Sequence, residues 1–161
     1  MGANLEKNTE FLGTLSINRD IKKICVNEVT GDYIELNAGD AGLIDRWRGF
    51  VTWFKQAGEQ LQKEVYEKSD SNDPDTVLDM LHKRTEYLQE CKNHIDMVFG
   101  AGAASKIFGD IIPDEMMIAE AMNGMVPFIE IITKQRLDRL TSTKYTPNKR
   151  PGMQSRRRKQ K

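Results

Sequence analysis

Residues that could do chemistry are few in this chain and lie far apart. It has two cysteines, Cys25 and Cys91, and two histidines, His82 and His94. The cysteines lack the close spacing typical of zinc ligands or of a disulfide framework. The histidines are twelve residues apart on one predicted helix, where about 100° per residue turns them about 120° away from each other. We therefore predict no metal site, and we interpret both histidines as surface residues.

Two segments partly match ligand-binding motifs. Residues 68–75 read Lys-Ser-Asp-Ser-Asn-Asp-Pro-Asp, but Asp75 and Leu81 stand where a calcium loop needs Gly and Glu. Residues 100–105 read Gly-Ala-Gly-Ala-Ala-Ser, which is similar to a phosphate-binding glycine loop. That loop needs a strand before it and a third glycine, whereas a helix and a serine are predicted here. We expect these small residues to serve tight packing between helices.

The catalytic motifs that spacing alone can reveal do not occur in the sequence. It contains no Gly-x-Ser-x-Gly elbow, no Gly-Lys-Ser/Thr phosphate loop and no His-Glu-x-x-His. Acidic residues are numerous, but no apolar surroundings single out a pair, and solvated helix faces account for them. We expect no catalytic residues, no cofactor and no enzymatic activity.

Composition indicates a soluble single-domain protein. The chain has 161 residues, of which 30% are charged and 39% hydrophobic, enough for one domain with its own core. No run of 18 apolar residues occurs, and no basic start is followed by an apolar block. We therefore expect neither a membrane span nor a signal peptide. Two distant cysteines fit a reducing compartment, and the predicted location is the cytoplasm.

The net charge of zero conceals an acidic body and a basic end. Residues 144–161 hold eight Lys or Arg and no acid, which leaves 16 basic and 24 acidic side chains in residues 1–143, a formal charge of −8. We interpret residues 141–161 as a disordered, flexible basic tail. Its candidate polyanion contacts are Arg156, Arg157, Arg158 and Lys159. A small nucleic-acid-binding module using this tail is the alternative function, although the acidic body would repel nucleic acid.

Hydrophobic periodicity predicts a mainly α domain over residues 14–140, after a loose N-terminus over residues 1–13. A short strand at 14–17 and a hairpin of residues 21–29 and 32–36 form a small N-terminal β-ribbon. The ribbon is either a hairpin or a three-strand sheet. It must pack on a helical bundle, because so few strands are not stable alone.

Two long helices and a short one follow the ribbon in the prediction. The first begins after Asn37 as its N-cap and faces the hairpin. Its apolar stripe is Leu43, Ile44, Trp47, Phe50, Val51, Phe54, Leu61 and Val65, with Trp53 off the stripe. The second runs antiparallel to it from about Asp75 to Phe99. Its coiled-coil-like seam is Leu78, Leu81, Thr85, Leu88, Cys91, Ile95 and Val98. The short helix spans residues 103–108, between two glycines.

The last predicted helix, Asp114–Leu140, has Pro113 at its first position and is apolar nearly all round in its first half. Such a helix is either central in a bundle or docked to something else. Four of the chain's eight methionines lie here, and methionine suits surfaces that adapt to unlike partners. Two interpretations of this helix therefore stay open: a core helix and a groove that binds a partner. The candidate partner-binding positions, which mix core and partner-facing residues, are Met117, Met122, Met125, Phe128, Ile129 and Ile132.

Several stretches carry a family resemblance. Residues 99–110 read Phe-Gly-Ala-Gly-Ala-Ala-Ser-Lys-Ile-Phe-Gly-Asp, the last helix contains Pro127 and Phe128, and residues 144–150 read Lys-Tyr-Thr-Pro-Asn-Lys-Arg. Together with the order of ribbon, aromatic-rich helix and Pro-started helix, they cover roughly residues 14–150. In these features the chain resembles the small tail assembly chaperones of long-tailed bacteriophages of Gram-positive hosts.

The resemblance implies a non-enzymatic role in the morphogenesis of the virion tail. Such chaperones coat the helical tape measure protein before the tail tube polymerises around it, and a frameshifted longer form often recruits tube subunits. The implied partners are therefore a tape measure protein and a tail tube protein, in the cytoplasm of the host cell. A homo-oligomer formed through the apolar helix is left open, and no membrane partner is expected.

Overall fold

The computed structural model describes residues 15–17, 19–68 and 73–142. Two antiparallel strands, β1 (Ile21–Asn27) and β2 (Asp32–Asn37), precede four helices. The helices are α1 (Leu43–Lys68), α2 (Pro74–Phe99), α3 (Ala103–Phe108) and α4 (Glu115–Thr141). The predicted mainly helical domain with a small N-terminal ribbon packed on the helices is confirmed. The predicted loose N-terminus and nearly all of the predicted tail lie outside the described residues.

The hairpin forms because alternate residues of both strands are apolar and face the helices. Ile24 lies opposite Ile34, and Lys22 lies opposite Leu36. The three apolar members of these pairs are buried, whereas Lys22 at the end of the strand remains exposed. Gly31 in the turn has a φ of 73°, which residues with a Cβ rarely adopt. One face of the ribbon therefore belongs to the core.

The strand predicted at residues 14–17 is wrong for the part that the structure describes. Residues 15–17 lie outside any strand, and Leu15 and Ile17 are exposed. An apolar alternation makes a strand only where a neighbour satisfies its backbone hydrogen bonds. The sheet of the described chain has two strands, so the ribbon is a hairpin.

The predicted start of α1 is also wrong, because the helix begins at Leu43 and not directly after Asn37. The side-chain oxygen of Asn37 accepts the backbone N–H of Gly39 at 2.9 Å, and that of Asp40 accepts the N–H of Gly42 at 2.9 Å. These local hydrogen bonds stabilise turns at the expense of a helix. The Asn-x-x-Asp spacing therefore marks two successive turns between β2 and α1.

An aromatic cluster joins α1 to α2, which run antiparallel as predicted. The ring centroid of Phe50 lies 5.6 Å from that of His94 and 6.1 Å from that of Phe54. The Trp53 centroid lies 4.1 Å from that of His94. The prediction that His94 is a surface residue is therefore wrong, because its half-buried ring stacks against two aromatic neighbours. Trp53, although off the predicted stripe, packs against the core.

Only part of each long helix contributes to the core. The described α2 seam is buried at Leu88, Cys91, Ile95 and Val98 but exposed at Leu78, Leu81 and Thr85. On α1, Val51 and Val65 are exposed, contrary to the prediction. Both helices have 26 residues, about 39 Å, and extend beyond the shorter elements that pack on them. The backbone of the hairpin approaches α3 and α2 most closely. The buried side chains of the hairpin and of α1 belong to the same hydrophobic core.

The small residues around α3 were predicted to serve tight packing, which agrees with the burial of Ala103 and Ala104 but is wrong for the glycines, which serve the backbone conformation. Gly100, Gly102 and Gly109 have φ values of 102°, 81° and 71°. A Cβ added at any of them would meet nothing within 4 Å. The side chain of Asp96 accepts the backbone N–H of Ala104 at 2.7 Å. An amide that a phosphate loop would offer to its ligand is therefore already bonded within the chain.

Polar contacts fasten α4 at both ends. Asp114 is its N-cap, so Pro113 precedes the helix and is not its first residue as predicted. The Arg84 guanidinium donates to both carboxylate oxygens of Glu115, the first at 2.7 Å, and holds the pKa of Glu115 below its usual value. Near the other end, Arg136 donates to the carbonyl oxygens of residues 38, 40 and 41, at 3.2 Å for residue 38 and 3.1 Å for residue 41. These bonds fix the rotation of α4 on the domain.

Replacing Phe50 by Ala should lower the free energy of unfolding by about 3–5 kcal/mol, because it removes a ring that is 1% exposed and leaves a cavity. Val51→Ala is the matched control, since Val51 is 39% exposed, and it should cost less than about 1 kcal/mol. Chemical denaturation measures both. Equal effects of the two substitutions would contradict the assignment of the core face of α1.

Arg136→Ala should lower the free energy of unfolding by about 1.5–3 kcal/mol, because three carbonyls lose a charged donor. Arg136→Lys should restore only part of this, since an ammonium lacks the planar fork. Arg139→Ala, which removes an exposed pair with Asp20, should leave the melting temperature nearly unchanged. A similar small effect at Arg136 would show that the turn before α1 does not need it.

Candidate functional site

The helix α4 carries two apolar seams side by side. The buried seam consists of Ile118, Met122, Met125, Ile129, Ile132 and Arg136. The exposed seam consists of Met117, Ala121, Gly124, Phe128, Ile131 and Gln135, of which Ala121 and Gln135 are half-buried. Both follow steps of four and three residues, the average of 3.5 that keeps a seam straight against a neighbouring helix. The first of them belongs to the core of the domain, and of the second only Ala121 packs against that core.

The exposed seam presents large side chains around a small centre. Met117 is 37% exposed, Phe128 39% and Ile131 53%. At Gly124 an added Cβ would meet nothing within 4 Å. Glycine inside a helix costs roughly 0.5–1 kcal/mol relative to alanine. Packing within the described chain does not require this glycine, and its position allows another backbone to approach closely.

The second half of the exposed seam forms one wall of a cleft against the hairpin. The cleft has a volume of about 220 Å³. Its lining is Lys22, Lys23, Ile24, Leu36, Phe128, Ile131, Ile132 and Gln135. Its floor is apolar, and no carboxylate is among the described residues that line it. The site is an open cleft with an apolar floor and with lysines on the hairpin side.

The six residues predicted as partner-binding positions divide between the two seams. Met117 and Phe128 belong to the exposed seam. Met122 is half-buried and packs against the core, and Met125, Ile129 and Ile132 are buried. The expectation that the set mixes core and outward-facing positions therefore agrees with the burial of these side chains. A central position in the bundle, by contrast, does not describe α4, since one whole side of it is exposed.

Four members of the exposed seam were not among the predicted site residues: Ala121, Gly124, Ile131 and Gln135. The signal that finds them is the spacing of four and three residues from Met117 and Phe128. The predicted polyanion contacts, Arg156, Arg157, Arg158 and Lys159, lie outside the described residues.

Reactive side chains elsewhere in the described chain do not form a second site. Burial raises the pKa of the Cys91 thiol to about 12, so it stays protonated and is not a nucleophile at neutral pH. His82 is exposed and lies 3.2 Å from a carboxylate oxygen of Glu86. Within the described residues, no group of three or more His, Cys, Asp or Glu is placed to hold a metal ion.

By length and composition alone, α4 is long and apolar enough to cross a membrane. An 18-residue window of it has a hydropathy of 1.3, and 22% of that window is buried in the domain. The first half of α4 is apolar on both seams, which accounts for this value. A core helix of a soluble protein can be equally long and apolar. The absence of a membrane span stays a prediction.

Comparison with known proteins identifies the family of the chain. No curated protein and no solved structure matches the chain. One family model, described as "Family of unknown function (DUF6673)", matches residues 30–161 and so takes in β2 and all four helices. Since this match covers most of the sequence, the chain belongs to that family of unknown function.

Proposed function

We propose that the chain is a phage tail assembly chaperone whose α4 binds apolar helical segments of the tape measure protein. The observation that carries the proposal is the exposed seam, a second apolar seam on a helix whose first seam already packs on the domain. Exposed apolar surface of this extent on one side of a helix is typical of an interaction site.

The spacing of the exposed seam favours a helix as the partner. Seams with a 3.5-residue period pack by placing side chains of one helix into gaps on the other. Here Met117, Phe128 and Ile131 project beside the gap at Gly124. An extended peptide would instead need backbone partners from a strand. The seam thus supports recognition of a helical face.

The tape measure protein is the proposed client because the sequence resembles tail assembly chaperones. Such a client exposes long apolar helical faces of varied sequence. An open surface that includes flexible Met117 makes modest demands on shape and suits many unlike segments. Binding at each segment must be weak enough for the tail tube protein to displace the chaperone, and an open cleft fits that need. Recruitment of tube subunits belongs to the same proposal.

Phe128→Asp and Ile131→Asp should each leave the domain folded and abolish co-purification with a co-expressed tape measure segment, because a charge on the exposed seam opposes apolar docking. The matched control is Val126→Asp, which alters an equally exposed apolar residue, 38% against 39% for Phe128, on another side of α4. This control should fold and still bind. Ile129→Asp should unfold the protein, since Ile129 is buried.

Circular dichroism and melting temperature separate folding from binding in each variant. Loss of binding in Val126→Asp to the same degree as in Phe128→Asp would contradict a specific seam. Retention of binding in both seam variants would overturn the proposed function. Parallel samples with lipid vesicles, with DNA and with the protein alone test membrane, nucleic acid and self-association. Seam-dependent binding to any of these in place of the helical segment would also overturn it.

A further inference from the structure

We propose that the helix that docks on the exposed seam carries a carboxylate that pairs with Lys22 and Arg139 at the end of the cleft. This inference rests on the proposed function, and it specifies the chemistry of the partner. The partner helix would carry an acidic residue beside its apolar face. This residue would lie where α4 meets the base of the hairpin.

Two cations share one carboxylate at this place. The Lys22 ammonium lies 2.9 Å from Asp20, and the Arg139 guanidinium bonds to the other carboxylate oxygen of Asp20. Both cations hold the pKa of Asp20 below its usual value. This arrangement leaves one positive charge uncompensated, in a body whose residues 1–143 have a formal charge of −8.

The two cations are more accessible than the half-buried acid between them. The side chains of Lys22 and Arg139 are 48% and 58% exposed, and that of Asp20 is 24% exposed. An ammonium has three donors and a guanidinium five, so bonding to Asp20 leaves both groups with free donors. A second carboxylate arriving from solvent can therefore bond to both cations without displacing Asp20.

The pair lies in line with the exposed seam. Lys22 lines the cleft with Phe128 and Ile131. Arg139 follows Gln135, the last residue of the seam, by one helical turn. A helix lying along the seam therefore brings residues beside its apolar face next to both cations. An acidic position there gains two charged bonds, and a basic one meets two like charges.

The experiment uses three synthetic peptides of three heptads with the same apolar face and with Glu, Gln or Lys at the positions beside it. Their Kd values for the full chain are measured by fluorescence anisotropy at low and high salt. The Glu peptide should bind about five- to tenfold more tightly than the Gln peptide at low salt. The Lys peptide should bind most weakly, and the differences should shrink at high salt.

Lys22→Gln/Arg139→Gln should abolish the preference for Glu, so that the Glu and Gln peptides bind this variant with equal affinity. Lys22→Gln alone keeps the bond between Arg139 and Asp20, and it should reduce the preference for Glu without abolishing it. The matched control, Lys55→Gln/Lys63→Gln, removes two exposed lysines of α1 and should preserve the preference. Melting temperatures show that each variant is folded.

The two proposals fail differently in this experiment. Equal affinities for the three peptides, or a preference that persists in Lys22→Gln/Arg139→Gln, would overturn the acidic position and leave the helix-binding seam intact. If the α1 control loses the preference for Glu as much as Lys22→Gln/Arg139→Gln does, the preference is an effect of net charge. That result would also overturn the acidic position. If no peptide binds, the helix-binding function fails, and the acidic position fails with it.

Discussion

A helix at the edge of a bundle can bury only one side, and α4 is apolar on more than one. Its buried seam packs against the hairpin and the other helices, and its exposed seam is covered within the described chain only in part, at Ala121 and Gln135. The domain could have hidden both seams only by placing α4 at its centre. With a single pair of long helices and one small ribbon to pack on, it places α4 outside and leaves the second seam to solvent.

The orientation of that seam depends on polar contacts. Arg84 holds the start of α4 through Glu115, and Arg136 holds its last third through three backbone carbonyls. A rotation of α4 that buried the exposed seam would break the bonds at both ends. The hairpin then stands beside the seam and turns a flat apolar face into a cleft. The contacts that stabilise α4 on the domain therefore also determine which of its seams stays exposed.

Local signals in the sequence predicted most elements. Pro74 predicts the start of α2 and Gly109 the end of α3, and the structure has both. The alternation around Ile24 and Ile34 predicts the hairpin. Tertiary contacts decided the rest. Periodicity shows that α4 has apolar seams, but it does not show which one the domain covers. His94 is polar by type, and only the fold brings its ring against Phe50 and Trp53. The exposed apolar residues of α4 could thus be predicted in part, as Met117 and Phe128 show.

The central claim is that another helix approaches α4 closely at Gly124. The affinity of Gly124→Leu for the apolar heptad peptide tests it most directly, because nothing within 4 Å would meet a new Cβ there. Leucine also favours helix more than glycine does, so the variant should melt at or above the temperature of the original chain. We predict that its affinity falls at least about tenfold, since the added side chain fills the gap that the partner helix needs. An unchanged or higher affinity in the folded variant would contradict the account.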